Sequence, residues 1–233
     1  MADPAALLLL FDIDGTLLRR ASREHAQALH DSMHAVYGVE THDVKVEAAG
    51  RTDIEIARAT LLRAGVSALR IEERFGALRA AAAEAYAELV PADLSATITP
   101  GMAALLERLA AREDVLLSLV TGNLEPVARL KLRAAGLEHF FPAGQGGFGS
   151  DSEDRTDLPP IARQRAGTRD APHPRERTVV IGDTPRDIIC ARADDLRVIA
   201  IATGPHPAAD LTLADAVVAD AEALGVELDR LLH

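Results

Sequence analysis

Two aspartates separated by one residue follow a short apolar run near the start of the chain. Asp12 and Asp14 come directly after the apolar run Leu7–Phe11, and Gly15 follows them. A continuous apolar run of this length is typical of a strand buried on both faces of a parallel sheet. Alternate residues of a strand share a face, so the two aspartates are expected on one side, with Ile13 opposite. Neighbouring carboxylates repel each other unless a cation or a proton separates them, which favours a catalytic site over an acidic surface turn.

Polar residues also follow two later apolar runs. The run at residues 115–120 ends in Thr121, Gly122 and Asn123, and the run at residues 178–181 is followed by Gly182 and Asp183 and then by Asp187. In an open parallel sheet, ligands bind outside the carboxyl ends of the strands. We therefore expect these residues to meet Asp12 and Asp14 at one edge of a sheet.

That edge offers chemistry suited to a phosphoryl group. Oxygen ligands without a nearby histidine or cysteine favour a hard cation, most simply Mg²⁺. Hydroxyl, amide and backbone N–H groups, such as those at residues 121–123, can hold the oxygens of a phosphate. A carboxylate facing a phosphoryl group can act as a nucleophile, and a second carboxyl two residues on can protonate the leaving oxygen and then deprotonate water.

The surrounding pattern predicts an α/β fold. From residue 101 onward helical and strand patterns alternate, which indicates an open parallel, Rossmann-like sheet with helices on both faces. Residues 19–98 show no convincing strand and predict an all-helical block. The chain is therefore divided into an α/β core (residues 1–18 and 99–233) and a helical domain inserted after the first strand (residues 19–98).

Three helices are predicted within the inserted block. The first spans residues 22–37 with Ser22 as its N-cap, and the second spans residues 53–64 with Asp53 as its cap. The third spans residues 67–90, with a possible break near Gly76. Three histidines of the first helix are interpreted as ordinary polar positions: His25, His30 and His34.

Composition excludes several classes of partner. The net charge of −11 argues against nucleic acid and anionic membranes, and an aromatic fraction of 3% leaves few stacking platforms for single strands. One cysteine, Cys190, excludes an internal disulfide and fits a reducing compartment. The start of the chain lacks the basic region of a signal peptide, so we expect a cytoplasmic protein. Whether it is a monomer or a dimer is left open.

Three stretches resemble one known family. Residues 11–17, 120–123 and 181–187 resemble, in order and spacing, the first, second and fourth motifs of the haloacid dehalogenase-like hydrolases. The resemblance covers nearly the whole chain and is closest to phosphatases of the phosphoglycolate phosphatase type. These carry a helical cap where residues 19–98 lie here. The resemblance implies Mg²⁺-dependent hydrolysis of a small phosphorylated metabolite.

The resemblance also implies roles for single residues. Asp12 corresponds to the nucleophile and Asp14 to the general acid/base. Mg²⁺ would be held by the Asp12 carboxylate, the Asp14 backbone carbonyl and Asp183, and Asp187 would orient water on the metal. In the second motif, Thr121, Gly122 and Asn123 would hold the transferring phosphate.

The third motif departs from the family pattern, which places a lysine about 25 residues before the fourth motif. The only lysines, Lys45 and Lys131, are out of register with that position. Arg155 precedes the matching helix and keeps the positive charge, so it is the preferred candidate. The alternative is that Arg163 or Arg165, within the helix, takes the role.

Other functions remain to be weighed. A 2-haloacid dehalogenase shares the fold and the aspartate nucleophile, but a halide leaving group needs no proton, so Asp14 argues against it. A β-phosphoglucomutase-like phosphotransferase differs only in the acceptor. A non-catalytic phosphate-binding protein would lack Asp12 or Asp183. In the helical block, Arg51 lies at a turn, where substrate contact and simple helix capping are both open.

Overall fold

One sheet of six parallel strands lies at the centre of the described chain. The computed structural model describes residues 5–19, 21 and 23–232. The strands are β1 (Leu7–Phe11), β2 (Val115–Thr121), β3 (Gly147–Phe148), β4 (Thr178–Gly182), β5 (Arg197–Ile201) and β6 (Ala216–Val218). Their order is β3-β2-β1-β4-β5-β6, and all five pairings are parallel. The predicted α/β architecture with a parallel sheet is confirmed.

Helices cover both faces of this sheet and fill the segment between β1 and β2. The helices are α1 (Arg23–Tyr37), α2 (Asp53–Arg63), α3 (Ala68–Leu89), α4 (Met102–Ala110), α5 (Glu125–Ala134), α6 (Leu158–Ala166), α7 (Pro185–Ala193) and α8 (Ala221–Leu232). No helix within these described residues, the 22-residue α3 included, is both long and apolar enough to cross a membrane.

The central strand β1 shows why its sequence is apolar throughout. Leu7, Leu9 and Phe11 pack into a cluster with α4, α5 and α8, whereas Leu8 and Leu10 pack on the other face with α6 and α7. Both faces are covered, so each of the five positions needs an apolar side chain.

The strand alternation continues past the end of β1. Ile13 packs in the same cluster as Leu9 and Phe11. Asp12 and Asp14 therefore leave that cluster for the opposite side, as their spacing predicted.

The helical segment, which we define as residues 23–89, builds a hydrophobic core of its own. Buried side chains of α1, α2 and α3, among them Met33, Leu61 and Tyr86, form one cluster. Leu124 and Val127, at the start of α5, belong to the same cluster. This segment is therefore packed against the sheet domain directly beside the end of β2.

One predicted helix cap differs in the structure, and another cannot be compared with it. Ser22, the predicted N-cap of the first helix, lies outside the described residues. The second helix is capped by Thr52 rather than Asp53, because the Thr52 side chain accepts a hydrogen bond from the Glu55 backbone N–H. Asp53 is helical, and its carboxylate is used elsewhere, as described below.

The third predicted helix and the end of the chain also differ. The possible break near Gly76 is absent, because α3 runs without interruption from Ala68 to Leu89. The short edge strand β6 and the helix α8 were not predicted at all. An edge strand of three residues gives little periodic signal.

Gly76 generates a first test of this structure. It lies inside α3, and a Cβ added there would meet no atom within 4 Å. We expect Gly76→Ala to raise the free energy of unfolding by about 0.5–1 kcal/mol, because alanine loses less conformational entropy in a helix. Urea denaturation at constant m-value measures the change.

The matched control is Gly65, which also has open space around its Cα but a φ of +83°. Gly65→Ala should destabilise the protein by roughly 1–2 kcal/mol, because the left-handed conformation penalises a Cβ. Equal effects of the two substitutions would contradict the assigned helix bounds.

Candidate active site

A cavity of about 680 Å³ lies between the carboxyl edge of the sheet and the helical segment. Its sheet side is formed by residues that follow four strands, together with one residue ahead of α6: Asp12, Asp14, Gly15, Gly122, Asn123, Asp183, Thr184, Thr203, Gly204 and Arg155. The ends of β1, β2 and β4 thus meet as predicted. The contribution of Thr203 and Gly204, after β5, was not predicted from the sequence.

Three buried carboxylates are neighbours at this edge. Asp12, Asp183 and Asp187 each place one carboxylate oxygen within 4.8 Å of the others. Burial, opposed by Arg155 and reinforced by Asp187, raises the pKa of Asp12 to about 7. Burial and the adjacent carboxylates of Asp187 and Asp12 raise the pKa of Asp183 to about 9. The cluster therefore favours either bound protons or a cation.

The donor atoms of the cluster fit a hard divalent cation. Oδ1 of Asp183 accepts a hydrogen bond from Thr16 Oγ1 at 3.0 Å, whereas Oδ2 is buried and has no hydrogen-bond partner among the described atoms. A buried carboxylate oxygen without a partner costs free energy unless a ligand satisfies it. Carboxylate oxygens are the ligands that Mg²⁺ prefers.

Arg155 lies in the turn before α6 and reaches into the cluster. Its Nη2 donates to Asp12 Oδ1 at 2.9 Å and to Asp187 Oδ1 at 2.5 Å, and its side chain is 7% exposed. The alternative arginines are bound elsewhere: Arg163 pairs with Asp194, and Arg165 pairs with Asp151. Of the three candidates, Arg155 is the one that the fold brings to the carboxylates.

Asp187 organises the loop that carries Asp183. Its Oδ2 accepts hydrogen bonds from the backbone N–H groups of Asp183 (3.2 Å) and Thr184 (2.9 Å) and from Thr184 Oγ1 (2.7 Å). Together with the Thr184 side chain it forms a capping box at the start of α7. Both Asp187 oxygens are therefore engaged by protein donors.

The end of β2 contacts the helical segment closely. The Asp53 backbone N–H donates to Gly122 O at 2.8 Å, and a Cβ on Gly122 would lie 2.1 Å from Arg51 O. Only glycine allows this approach. Asn123 lines the cavity, and its Nδ2 donates to Asp14 Oδ2 at 2.9 Å. Thr121 is fully buried, accepts from the Asn123 N–H at 3.4 Å and is not part of the cavity wall.

Asp14 is paired with a buried lysine. Lys131, on α5, has no exposed surface, and its Nζ lies 2.5 Å from Asp14 Oδ2. Burial alone would raise the pKa of Asp14, but the Lys131 ammonium, together with His25 and the hydrogen bond from Asn123, outweighs burial and holds this pKa below the usual value. Oδ1 of Asp14 is buried without a hydrogen-bond partner among the described atoms.

The Lys131 contact continues into the helical segment. Lys131 Nζ lies 3.1 Å from His25 Nδ1, and His25 Nε2 lies 3.0 Å from Asp53 Oδ2. A lysine ammonium only donates, so Nδ1 must accept and Nε2 carries the hydrogen that Asp53 receives. Asp53 Oδ2 also accepts from the Leu124 N–H at 2.7 Å. One buried chain of contacts thus joins α1, α2 and α5 to Asp14.

The sequence analysis missed this chain of contacts. His25 was interpreted as an ordinary polar position, and Lys131 was considered only for its spacing to the fourth motif. A signal was present: Lys131 lies four residues after Val127 and next to Leu132, on the buried face of α5. A lysine on an apolar helix face is seldom buried without a partner.

Arg51, for which substrate contact and helix capping were both open, lines the cavity. Its Nη1 pairs with Glu55 one helical turn later, and its Nε is buried without a hydrogen-bond partner among the described atoms. It does not cap the helix through its side chain, since Thr52 has that role.

Most of the chain matches one known protein family. Residues 9–192 match the haloacid dehalogenase-like hydrolases. The chain belongs to this family. No curated protein sequence matches it significantly.

Solved structures at 16–22% identity share the fold of this hydrolase. A predicted phosphatase from Clostridium acetobutylicum has a TM-score of 0.67 at 18% identity, covering 97% of this chain and 99% of its own. A predicted phosphoglycolate phosphatase from Haemophilus somnus has a TM-score of 0.64 at 16% identity, with the same coverage of 97% and 99%. CbbY from Rhodobacter sphaeroides, in complex with phosphate, has a TM-score of 0.63 at 22% identity, covering 94% and 96%.

Repulsion within the carboxylate cluster of this hydrolase can be tested through stability. The pKa of Asp183 rises from 3.8 to about 9 on folding, so between these values the folded state binds more protons than the unfolded state. The stability of the metal-free protein should therefore fall as the pH rises through that range. At pH 8 in EDTA, we expect Asp183→Asn to raise Tm by at least about 2–4 °C, which corresponds to roughly 1 kcal/mol.

The control is Asp170→Asn, which changes an exposed aspartate outside the cavity and should leave Tm within about 1 °C. Thermal denaturation followed by circular dichroism measures both variants. Mg²⁺ should raise the Tm of the wild type but not that of Asp183→Asn. A wild type that gains stability with rising pH in EDTA would contradict the assigned cluster.

Proposed function

We propose that this hydrolase is a Mg²⁺-dependent phosphatase that acts on small phosphate monoesters, as phosphoglycolate phosphatases do. The observation that carries the proposal is the convergence of Asp12 and Asp183 on one side of the cavity, with Arg155 between Asp12 and Asp187. Mg²⁺ would be held by the carboxylates of Asp12 and Asp183 and by the Asp14 backbone carbonyl. When bound, it would neutralise charge on the carboxylates and on the phosphoryl group.

Asp12 is the proposed nucleophile. Its carboxylate oxygen would attack phosphorus, the bond from phosphorus to the ester oxygen would break, and an aspartyl-phosphate would form. Arg155 donates to Oδ1 of this carboxylate at 2.9 Å, so that Oδ2 would be the attacking oxygen. Arg155 would also supply a fixed positive charge for the equatorial oxygens of the phosphoryl group. Asp187 fixes both Arg155 and the loop of Asp183, which supports a positioning role for it.

Asp14 is the proposed general acid and base. Lys131 and Asn123 hold its Oδ2, which leaves the unpartnered Oδ1 as the atom that exchanges a proton with the substrate. Its lowered pKa keeps the carboxylate ionised for the second half-reaction, in which it removes a proton from water. In the first half-reaction Asp14 must itself carry a proton on Oδ1 and deliver it to the leaving ester oxygen, while Lys131, 2.5 Å from Oδ2, holds the carboxyl group in place.

The phosphate oxygens would be bound next to this pair. Gly122 and Asn123 line the cavity and offer backbone N–H groups without adding charge. The unpartnered Nε of Arg51 offers a further donor from the helical segment. Thr121 would contribute only if its hydroxyl turned from the Asn123 N–H to the ligand.

The helical segment would act as a cap inserted between the two parts of the core. It contacts the end of β2 through Arg51 and Asp53 and also the loop just before Arg155, where Thr52 Oγ1 donates to Glu153 O at 2.8 Å. Opening these contacts would admit substrate and water, and closing them would exclude water during phosphoryl transfer.

The proposal is tested by phosphate release from p-nitrophenyl phosphate and from a panel of alkyl phosphates, with Mg²⁺ and with EDTA. We expect turnover only with Mg²⁺ and a loss of roughly 10³-fold or more in Asp12→Asn, because the nucleophile is removed. Asp170→Asn is the matched control and should retain wild-type activity. Turnover in EDTA, or an active Asp12→Asn protein with an intact circular dichroism spectrum, would refute this mechanism.

The role of Lys131 has a test of its own. Lys131→Met should lower kcat/KM, which reports formation of the aspartyl-phosphate, by about 10²–10³-fold for alkyl phosphates, because Lys131 positions the carboxyl group that protonates their leaving alkoxides. It should lower kcat/KM for p-nitrophenyl phosphate by less than about tenfold, because p-nitrophenolate leaves without a proton.

Asp14→Asn should show the same dependence on the leaving group, whereas Lys45→Met, at an exposed lysine, should show neither loss. A misfolded variant would lose activity on both kinds of substrate equally. Equal losses in a Lys131→Met protein with an intact circular dichroism spectrum would show that Lys131 does not act through Asp14.

A further inference from the structure

The two sides of the active-site cavity differ in chemistry. The sheet side carries the carboxylates and Arg155, whereas the wall from the helical segment is mainly apolar. On α1, Leu29, Met33 and the small Ala26 lie at helical spacing and line the cavity. Ile56, on α2, lines it as well.

The loop between α1 and α2 extends this apolar wall. Val44 and Val46 are two residues apart, half-buried, and both line the cavity. We call these two valines together with Leu29, Met33 and Ile56 the apolar wall. Its residues come from three stretches of the helical segment that converge on one space.

Most polar groups near the apolar wall are engaged within the protein. The Thr60 hydroxyl donates to Ile56 O at 2.8 Å, and His30 Nδ1 lies 2.8 Å from Thr41 Oγ1. His25 and Asp53 belong to the chain of contacts that ends at Lys131. These groups are therefore not free to bind a strongly polar ligand without breaking an existing contact.

Fixed positive charge is also scarce on this side of the cavity. Arg51 pairs with Glu55, and burial together with His42 lowers the pKa of His30, which favours its neutral form. Arg19 lines the cavity but is exposed, so water screens its charge. On this side of the cavity, a second anionic group on a substrate, such as a carboxylate, would therefore lack a buried cation without an acidic partner among the described residues. Arg51, which Glu55 already neutralises, offers its unpartnered Nε to the phosphate in the proposed function.

The volume of the cavity also favours a substrate with a larger organic group. Its volume of about 680 Å³ lies in the range of pockets that enclose a whole small organic ligand, well beyond a phosphoryl group with a two-carbon acid. Water in contact with an apolar wall is released favourably when an apolar group replaces it.

We propose that the apolar wall binds the organic group of the substrate and that this group is uncharged and mainly apolar, either aliphatic or aromatic. The inference rests on the proposed phosphatase activity and narrows it to one class of ester. On this basis phosphoglycolate, sugar phosphates and bisphosphates are poor substrates.

A homologous series of n-alkyl phosphates, from methyl to octyl, tests the wild-type enzyme with Mg²⁺. We expect kcat/KM to rise with chain length by up to about fourfold for each methylene buried, until the wall is covered. Phosphoglycolate, glycerol phosphate and glucose 6-phosphate should be turned over less efficiently than hexyl phosphate. A kcat/KM that is flat or falls with chain length would overturn the inference.

A variant pair locates the effect on the apolar wall. Ile56→Arg places a charge on the wall and should lower kcat/KM for hexyl phosphate at least about tenfold, while methyl phosphate changes less than about threefold. Leu62→Arg is the matched control, because Leu62 lies on the same helix, is 46% exposed and does not line the cavity. Leu62→Arg should leave kcat/KM unchanged for both hexyl phosphate and methyl phosphate.

A binding measurement keeps the test independent of how the variant folds. Alkylphosphonates, which are not hydrolysed, should inhibit wild-type turnover of p-nitrophenyl phosphate competitively, with Ki falling as the chain lengthens. Inhibition by methylphosphonate equal to that by octylphosphonate would overturn the inference.

The outcomes also separate this inference from the proposed function. Mg²⁺-dependent turnover of p-nitrophenyl phosphate together with a preference for phosphoglycolate or a sugar phosphate would overturn the inference about the apolar wall. The proposed phosphatase activity would then still stand. The absence of phosphate release from every ester, including p-nitrophenyl phosphate, would overturn both. A rise of kcat/KM along the alkyl series that Ile56→Arg abolishes would support both.

Discussion

The burial of several carboxyl groups next to one another is the physical constraint on which the rest of this structure depends. Asp12, Asp183 and Asp187 converge where water is excluded, and burial with mutual repulsion raises the pKa of Asp12 and Asp183. Arg155 offsets part of the repulsion. The backbone and side-chain donors at the start of α7 offset a further part by donating hydrogen bonds to Asp187. The remaining imbalance favours a divalent cation. The tendency to bind a metal and the tendency to activate a carboxylate thus have one physical origin.

A second compensated charge lies two residues from the first. Asp14 continues the same strand, but its partner is Lys131, on the other side of the site from Arg155. The two aspartates have opposite pKa shifts: burial and the neighbouring carboxylates raise the pKa of Asp12 despite Arg155, whereas Lys131 and its neighbours overcome burial and lower the pKa of Asp14. Such a separation is the usual way in which two neighbouring carboxyl groups acquire different chemical roles. Because Lys131 also contacts His25, the position of the helical segment and the environment of Asp14 are linked.

The fold divides binding and chemistry between two parts of the chain. Residues after β1, β2 and β4 are placed by a rigid parallel sheet, which holds their geometry whatever the ligand. The opposite wall comes from α1, α2 and the loop between them, whose apolar residues can vary without disturbing the carboxylates. One fold can thus host many substrates, and in our proposal the side chains of the helical segment decide which one this chain binds.

The sequence by itself determined the sheet core, the helical insertion and the carboxylates. Apolar runs and turn residues are local signals, and the carboxyl ends of parallel strands must share an edge, so Asp12, Asp14 and Asp183 could be placed together from their order alone. Arg155 could be chosen through the resemblance to the family, which places a cation just ahead of the matching helix. Only the tertiary structure decided which groups these acids contact. Lys131 meets Asp14 across 117 residues and His25 across 106, and no local pattern encodes such distances. The N-cap at Thr52 was likewise decided by tertiary contacts. Asp53 is an equally good cap by residue type, but its carboxylate accepts a hydrogen bond from Leu124, a contact that exists only in the folded chain.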